Sequence, residues 1–279
     1  MDIKTGVLVC VLLVGCFALP KPAEDVSKYF DLRDTRIVGG SEAAEGSHPH
    51  MAALHSGILV SNYFCGGAVV ARRTILTAAH CIDAGSASPG VLLMSLRVTV
   101  GTNRWNFGGQ TYRISHDITH PEYDLSEIIH DIGLLITDTD IEYSKLVEPV
   151  PLSFDFVPGG VEARLAGWGR IIFDGPIPAN LLELNTTVLD GDTCVQLAAE
   201  AAPDFPEWYF PPVQPALQIC TLHSVGHGAC NGDSGSALVR IETGEHIGVV
   251  SWGFPCAVGA PDILVRTSSY KDFLTANLV

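Results

Sequence analysis

Hydrophobic positions in this chain gather in short runs broken by glycine and proline, not in the long three-and-four spacing of amphipathic helices. The runs Met51–Val60, Phe64–Ala71, Arg73–Ala78, Leu92–Val100, Tyr112–Ile118 and Gly133–Thr137 predict one series of strands. A second series follows at Val161–Trp168, Leu181–Leu189, Leu217–Leu222, Ser236–Ile241, His246–Ser251 and Ile263–Arg266. Many short strands between turn residues predict an all-β chain of barrel or sandwich type. Only Asp192–Ala202 and Ser269–Leu278 read as helices, the latter with Leu274 and Leu278 on one face that should pack on the body. No internal repeat is visible in the sequence.

The pattern differs at the N-terminal end. The apolar run from Val7 to Leu19 is too short to span a bilayer and carries small residues near its end, so residues 1–18 are expected to be a secretory signal peptide. Residues 19–36 are polar and close on Asp34-Thr35-Arg36, which predicts an activation propeptide. The protein is thus expected to be secreted, extracellular and monomeric. Of the eight cysteines, Cys10 and Cys16 fall in the signal, and six remain. An even number suits an oxidising compartment, and fifteen pairings are open to six cysteines. No two show the close spacing of a zinc knuckle, so no metal site is expected from them. The net charge is −15, and residues 1–36 hold five acidic and five basic side chains, so trimming them leaves it unchanged. An acidic surface excludes nucleic acid and anionic membrane as expected partners.

Candidate chemistry lies in three motifs met in order: Thr77-Ala78-Ala79-His80-Cys81, then Asp131-Ile132-Gly133-Leu134-Leu135, then Gly232-Asp233-Ser234-Gly235. A hydroxyl nucleophile needs a base beside it, and the base needs a group to fix its tautomer and stabilise its charged form. Ser234, His80 and Asp131 supply those types. A fourth motif, Ile37-Val38-Gly39-Gly40, stands directly after Arg36. On these four motifs the chain resembles the trypsin/chymotrypsin-like serine proteases, over residues 37–279. The resemblance implies two six-stranded antiparallel Greek-key β-barrels, the first over residues 37–148 and the second over residues 149–279 with a C-terminal helix. It implies the disulfides Cys65–Cys81, Cys194–Cys220 and Cys230–Cys256. It implies the catalytic set His80, Asp131 and Ser234, an oxyanion hole of the Gly232 and Ser234 amides, and activation by cleavage after Arg36. The freed amino group of Ile37 would then pair with Asp233.

The family pattern also places the pocket for the residue before the scissile bond. Gly228 should form its base, Asn231 its mouth, and Ser251-Trp252-Gly253 with Asp262 its walls. Trypsins carry Asp at the base position, whereas here a carboxylate stands on a different wall. That pattern resembles the brachyurins, the crustacean and insect collagenolytic proteases of broad specificity. The expected function is therefore a digestive serine endopeptidase made as a zymogen, cutting after apolar, aromatic and some basic residues. Its expected partners are protein or peptide substrates, an activating trypsin-like protease and protein protease inhibitors; no cofactor is expected. A catalytically silent binding homologue and a narrow regulatory protease are the competing functions. Pro203–Pro212 is a long connection rich in aromatics, read as a stiff surface loop packed on its own rings, with lining of the substrate groove as the other reading. Asn185-Thr186-Thr187 is a glycosylation candidate set within a predicted strand.

Overall fold

The computed structural model describes residues 37–57, 60–88 and 90–279. The expected signal peptide, the propeptide and Arg36 lie outside the described residues. Each of the twelve expected strands is present. The first six are β1 (Met51–Ser56), β2 (Asn62–Ala71), β3 (Thr74–Thr77), β4 (Arg97–Val100), β5 (Gln110–Thr119) and β6 (Gly133–Thr137). The second six are β7 (Glu162–Gly167), β8 (Leu182–Val188), β9 (Gln218–Leu222), β10 (Ala237–Arg240), β11 (His246–Gly253) and β12 (Asp262–Arg266). All pair antiparallel, and each set closes on itself. The neighbours run β1-β2-β3-β6-β5-β4 in the first barrel and β7-β8-β9-β12-β11-β10 in the second. The two halves thus share one strand order without sharing a visible sequence repeat. Ser41–Glu42 adds a short edge to β8.

Burial explains the strand patterns. Gly-Leu-Leu-Ile-Thr of β6 is buried at every position, as in a strand covered on both faces. In β8, buried Leu182, Leu184, Thr186 and Val188 alternate with more open Glu183, Asn185 and Thr187. A small cluster including Leu165, Ile219, Leu238, Ile247 and Leu264 fills the second barrel. The larger cluster runs through the first barrel and takes in Trp168, Val249, Val265 and Leu274 from beyond it. One core therefore joins both halves.

Three α-helices are present among the described residues: α1 (Ala79–Ala84), α2 (Gly191–Ala201) and α3 (Lys271–Asn277). Asp190 caps α2 by accepting the Thr193 amide at 2.9 Å, and Cys194 and Ala198 turn its inner face toward the body. The C-terminal expectation needs one correction. Leu274 is fully buried, but Leu278 has extended backbone just past the end of α3 and is 36% exposed, so it does not share the packed face. The disulfides join Cys65 to Cys81, Cys194 to Cys220 and Cys230 to Cys256.

Candidate active site

The site is built where strand ends and loops of the two barrels meet. His80 sits in α1, which begins two residues after β3, and the Cys65–Cys81 bond ties that helix to β2. Asp131 lies two residues before β6 and is completely buried. Its Oδ1 accepts the His80 backbone amide at 2.9 Å, and its Oδ2 stands 2.7 Å from His80 Nδ1. A third donor comes from the second barrel. The ladder between β11 and β12 slips between Val250 and Trp252, which leaves Ser251 off the regular register. Ser251 Oγ donates to Asp131 Oδ2 at 2.5 Å. Expected only as a pocket wall, Ser251 thus also reaches across the barrels to hold the carboxylate.

The electrostatics follow from this packing. Burial acts against the charge on Asp131, but the His80 imidazole, the Ser251 hydroxyl and the His80 amide outweigh it and hold the carboxyl below its ordinary value. Burial likewise depresses His80, yet the Asp131 charge and hydrogen bond prevail and raise its pKa. The arrangement fixes the imidazole with Nδ1 toward the acid, leaving Nε2 as the nitrogen able to take a proton.

Ser234 is held by its backbone. Its carbonyl accepts the Gly66 amide of β2 at 2.8 Å, and the next amide, of Gly235, donates to Val250 at 2.8 Å. Among the described residues its hydroxyl is not hydrogen-bonded to His80, a contact that in a free enzyme often tightens only once substrate is bound. The turn before it is constrained by Gly232, whose φ of +100° favours glycine and whose carbonyl accepts the Tyr63 hydroxyl at 2.7 Å. The Asp233 amide donates to Cys230 at 2.9 Å, whereas the amides of Gly232 and Ser234 find no acceptor among the described residues.

Asp233 turns inward. It is fully buried, and its oxygens accept the Gly169 amide at 2.8 Å and the Cys230 amide at 2.9 Å. Burial pushes its pKa up to about 7 despite these two donors. Ile37 is fully buried against Leu182 and Leu184, and Val38 accepts the Gly228 amide at 3.1 Å.

A cavity of about 250 Å³ opens beside Ser234. Asn231, Ser251, Trp252, Gly253 and Asp262 all line it. Gly228 does not reach its lining. It stands behind Asp262, and a Cβ built on it would come within 3.1 Å of Asp262 Oδ2. Glycine there makes room for the carboxylate rather than forming the pocket base. Asp262 accepts the Ala229 amide at 3.0 Å, and burial followed by the nearby Asp233 charge lifts its pKa to about 7.

The long connection after α2 also lines this cavity through Trp208, Tyr209 and Phe210, and Ile128 faces it from the loop before Asp131. Phe210 stacks on Phe254 at 4.3 Å and on Trp208 at 6.4 Å, while Tyr209 donates to Glu127 at 3.0 Å. The two sequence readings of this segment are both realised: its rings pack on one another and wall the groove. Ile128 carried no sequence signal, since a single apolar residue in a loop has no period to betray it. Asn185 is exposed on β8, where its Oδ1 accepts from Arg164 at 2.8 Å.

Known proteins place this geometry. The Trypsin family profile matches residues 37–274. Chymotrypsin-2 of Vespa crabro is 36% identical over 242 residues, covering 86% of this chain and 99% of that protein. Trypsin delta of Drosophila erecta is 31% identical over 246 residues, covering 88% of this chain and 89% of that one. Among solved structures, GrC superposes with a TM-score of 0.69 at 28% identity, covering 85% of this chain and 97% of its own. Human heparin binding protein reaches the same TM-score and identity, with 86% and 96% covered. The chain belongs to the trypsin family of serine proteases and is a serine endopeptidase.

Proposed function

We propose that the protein is a secreted, digestive zymogen that cuts through an acyl-enzyme with broad primary specificity. Ser234 attacks the peptide carbonyl while His80 Nε2 takes the hydroxyl proton and later returns it to the leaving amine. Asp131 stays ionised and stabilises the imidazolium. The amides of Gly232 and Ser234 hold the developing oxyanion; loss of one such donor typically costs on the order of a hundredfold in rate. The observation that carries this reading is the His80–Asp131–Ser251 network beside two neighbouring amides with no acceptor among the described residues.

Activation follows from the cost of a buried carboxylate. Cleavage after Arg36 gives Ile37 an ammonium group, and Asp233, buried without a cation among the described residues, is its partner. Asp262 gives the pocket a brachyurin-like character. Ionised, it receives a basic side chain; neutral, it tolerates an apolar one. Insect chymotrypsin and trypsin relatives support a digestive role.

Ser234→Ala in the processed protein should keep the fold and abolish both turnover and labelling by a fluorophosphonate. Full turnover in that variant would overturn the assignment. Edman sequencing of the active form should begin at Ile37, and Arg36→Gln should remain uncut by trypsin at that bond.

A further inference from the structure

A second cluster of chemistry stands on the far side of the Asp131 loop. His120 immediately follows β5 and His130 immediately precedes Asp131, so the two imidazoles stand at the neck of the loop that carries Ile128 and Asp131. The neck is pinned by backbone bonds, with the His120 amide donating to Ile132 at 3.1 Å and the Ile132 amide donating to His130 at 2.7 Å. The rings of His120 and His130 lie 4.8 Å apart, 9° from parallel. Glu122 brings a carboxylate oxygen to 3.9 Å from His130 Nε2. One ligand atom from each of the three lies within 4.8 Å of the other two.

Stacked imidazoles with a carboxylate at their edge are an unusual use of three polar side chains. We propose that His120, Glu122 and His130 form a binding site for a zinc-like divalent ion, and that its occupancy lowers turnover through the Asp131 loop. The donor set is two nitrogens and one oxygen, which suits zinc and disfavours the all-oxygen preference of calcium. The Tyr270 hydroxyl meets His130 Nδ1 at 3.2 Å, which orients that ring with Nε2 toward Glu122. Such an outer partner is typical of metal-binding imidazoles. The groove around the cluster, about 340 Å³, includes Asp272 as a further oxygen donor. Its one lysine is occupied elsewhere, with Lys271 Nζ lying 5.9 Å over the Phe154 ring.

Coordination requires movement. Zinc holds nitrogen ligands at about 2.0–2.1 Å, so the donor atoms must close in, and near-parallel rings must rotate until their lone pairs meet. His120 is restrained at Nδ1 by the Glu122 amide at 3.2 Å, a long contact that is easily given up. His130 is covalently joined to Asp131, so rotation there shifts the acid that orients His80. The other three-residue group, Cys65, His80 and Cys81, is spent, because its sulfurs form a disulfide. His223 and His227 also stack, at 4.4 Å, but belong to no three-ligand group among the described residues, which makes them a control.

The test is calorimetric titration of zinc chloride into the processed enzyme, with calcium chloride in parallel, followed by kcat at rising zinc. One zinc per chain and no comparable calcium heat are expected, with a fall in kcat that EDTA reverses. His120→Gln and the exposed Glu122→Gln should each weaken zinc binding about tenfold or more and raise the zinc needed to inhibit by the same factor. His223→Gln should change neither. Because Glu122 touches no triad residue, protection by Glu122→Gln separates this site from zinc binding at His80. Equal affinity in wild type and both variants would overturn the site; binding at the site with unchanged kcat would overturn its coupling to the loop.

Discussion

In the proposed pocket, Asp262 would set specificity and its pH dependence together. Its pKa is raised by burial first and by Asp233 second, with the Ala229 amide acting the other way, to about 7. An acid with that value is largely neutral near pH 6 and charged near pH 8. Cleavage after Arg or Lys should therefore gain on cleavage after Phe or Leu as pH rises through neutrality. Titration of the His80 imidazole, in the proposed mechanism, affects both substrates alike and cancels in the ratio of their kcat/KM values. In Asp262→Asn the ratio should be flat and should favour the apolar substrate. The same shift has a consequence for stability. A carboxyl whose folded pKa exceeds its unfolded value of 3.8 contributes most below that value and progressively less up to about pH 7. Asp262→Asn should accordingly raise the melting temperature at pH 8 relative to wild type, with little change at pH 4. A pH-independent Arg-to-Phe ratio in the wild type would remove Asp262 from the specificity argument.

Among the elements, the twelve strands were legible because each pairs a period or a solid apolar run with turn residues at both ends. Their exact ends were not. β1 stops at Ser56 rather than Val60, because Gly57 takes φ +137° and turns the chain, leaving Val60 72% exposed. Leu92–Val100 splits, its first residue pairing locally with Ser86 and only Arg97–Val100 entering the barrel. Helix α1 was missed because six residues are too few to show a helical period, and its start has no side-chain cap. The family motif singled out His80 and Asp131, but only the fold shows Ser251 crossing from the other barrel to Asp131. The aromatic segment of Phe205, Trp208 and Phe210 was read with two outcomes because rings that pack and rings that bind look alike in sequence. Its position beside Asp262 now makes a measurable claim. Trp208→Ala removes a ring at the groove, and aromatic contacts of this kind contribute about 0.5–1.5 kcal/mol. Peptides extending several residues before the cut should lose roughly two- to tenfold in kcat/KM, whereas single-residue amide substrates should be unaffected. Equal losses on both would place Trp208 in the primary pocket instead.

At the scale of the whole molecule, the site exists only while the two barrels stay in register, since His80 and Asp131 belong to one and Ser234 and Ser251 to the other. The register is held by a shared core and by the C-terminal segment. Leaving the second barrel, α3 buries Leu274 completely in the larger cluster, and the chain end returns to the first barrel, where Val279 accepts the Arg73 amide at 2.9 Å. The two halves should therefore melt as one unit despite their separate strand ladders. Leu274→Ala leaves a cavity at that junction, a change that typically costs about 2–5 kcal/mol. With roughly 2–4 °C of melting temperature per kcal/mol for a domain of this size, a drop of about 4–20 °C is expected. Calorimetry should still show a single transition, and activity should disappear along the same curve as the intrinsic fluorescence. If the variant instead melted in two steps, the barrels would be independent folding units. Because the Ser251–Asp131 bond spans the junction, loss of activity before unfolding would mean that the clamp sets alignment rather than stability.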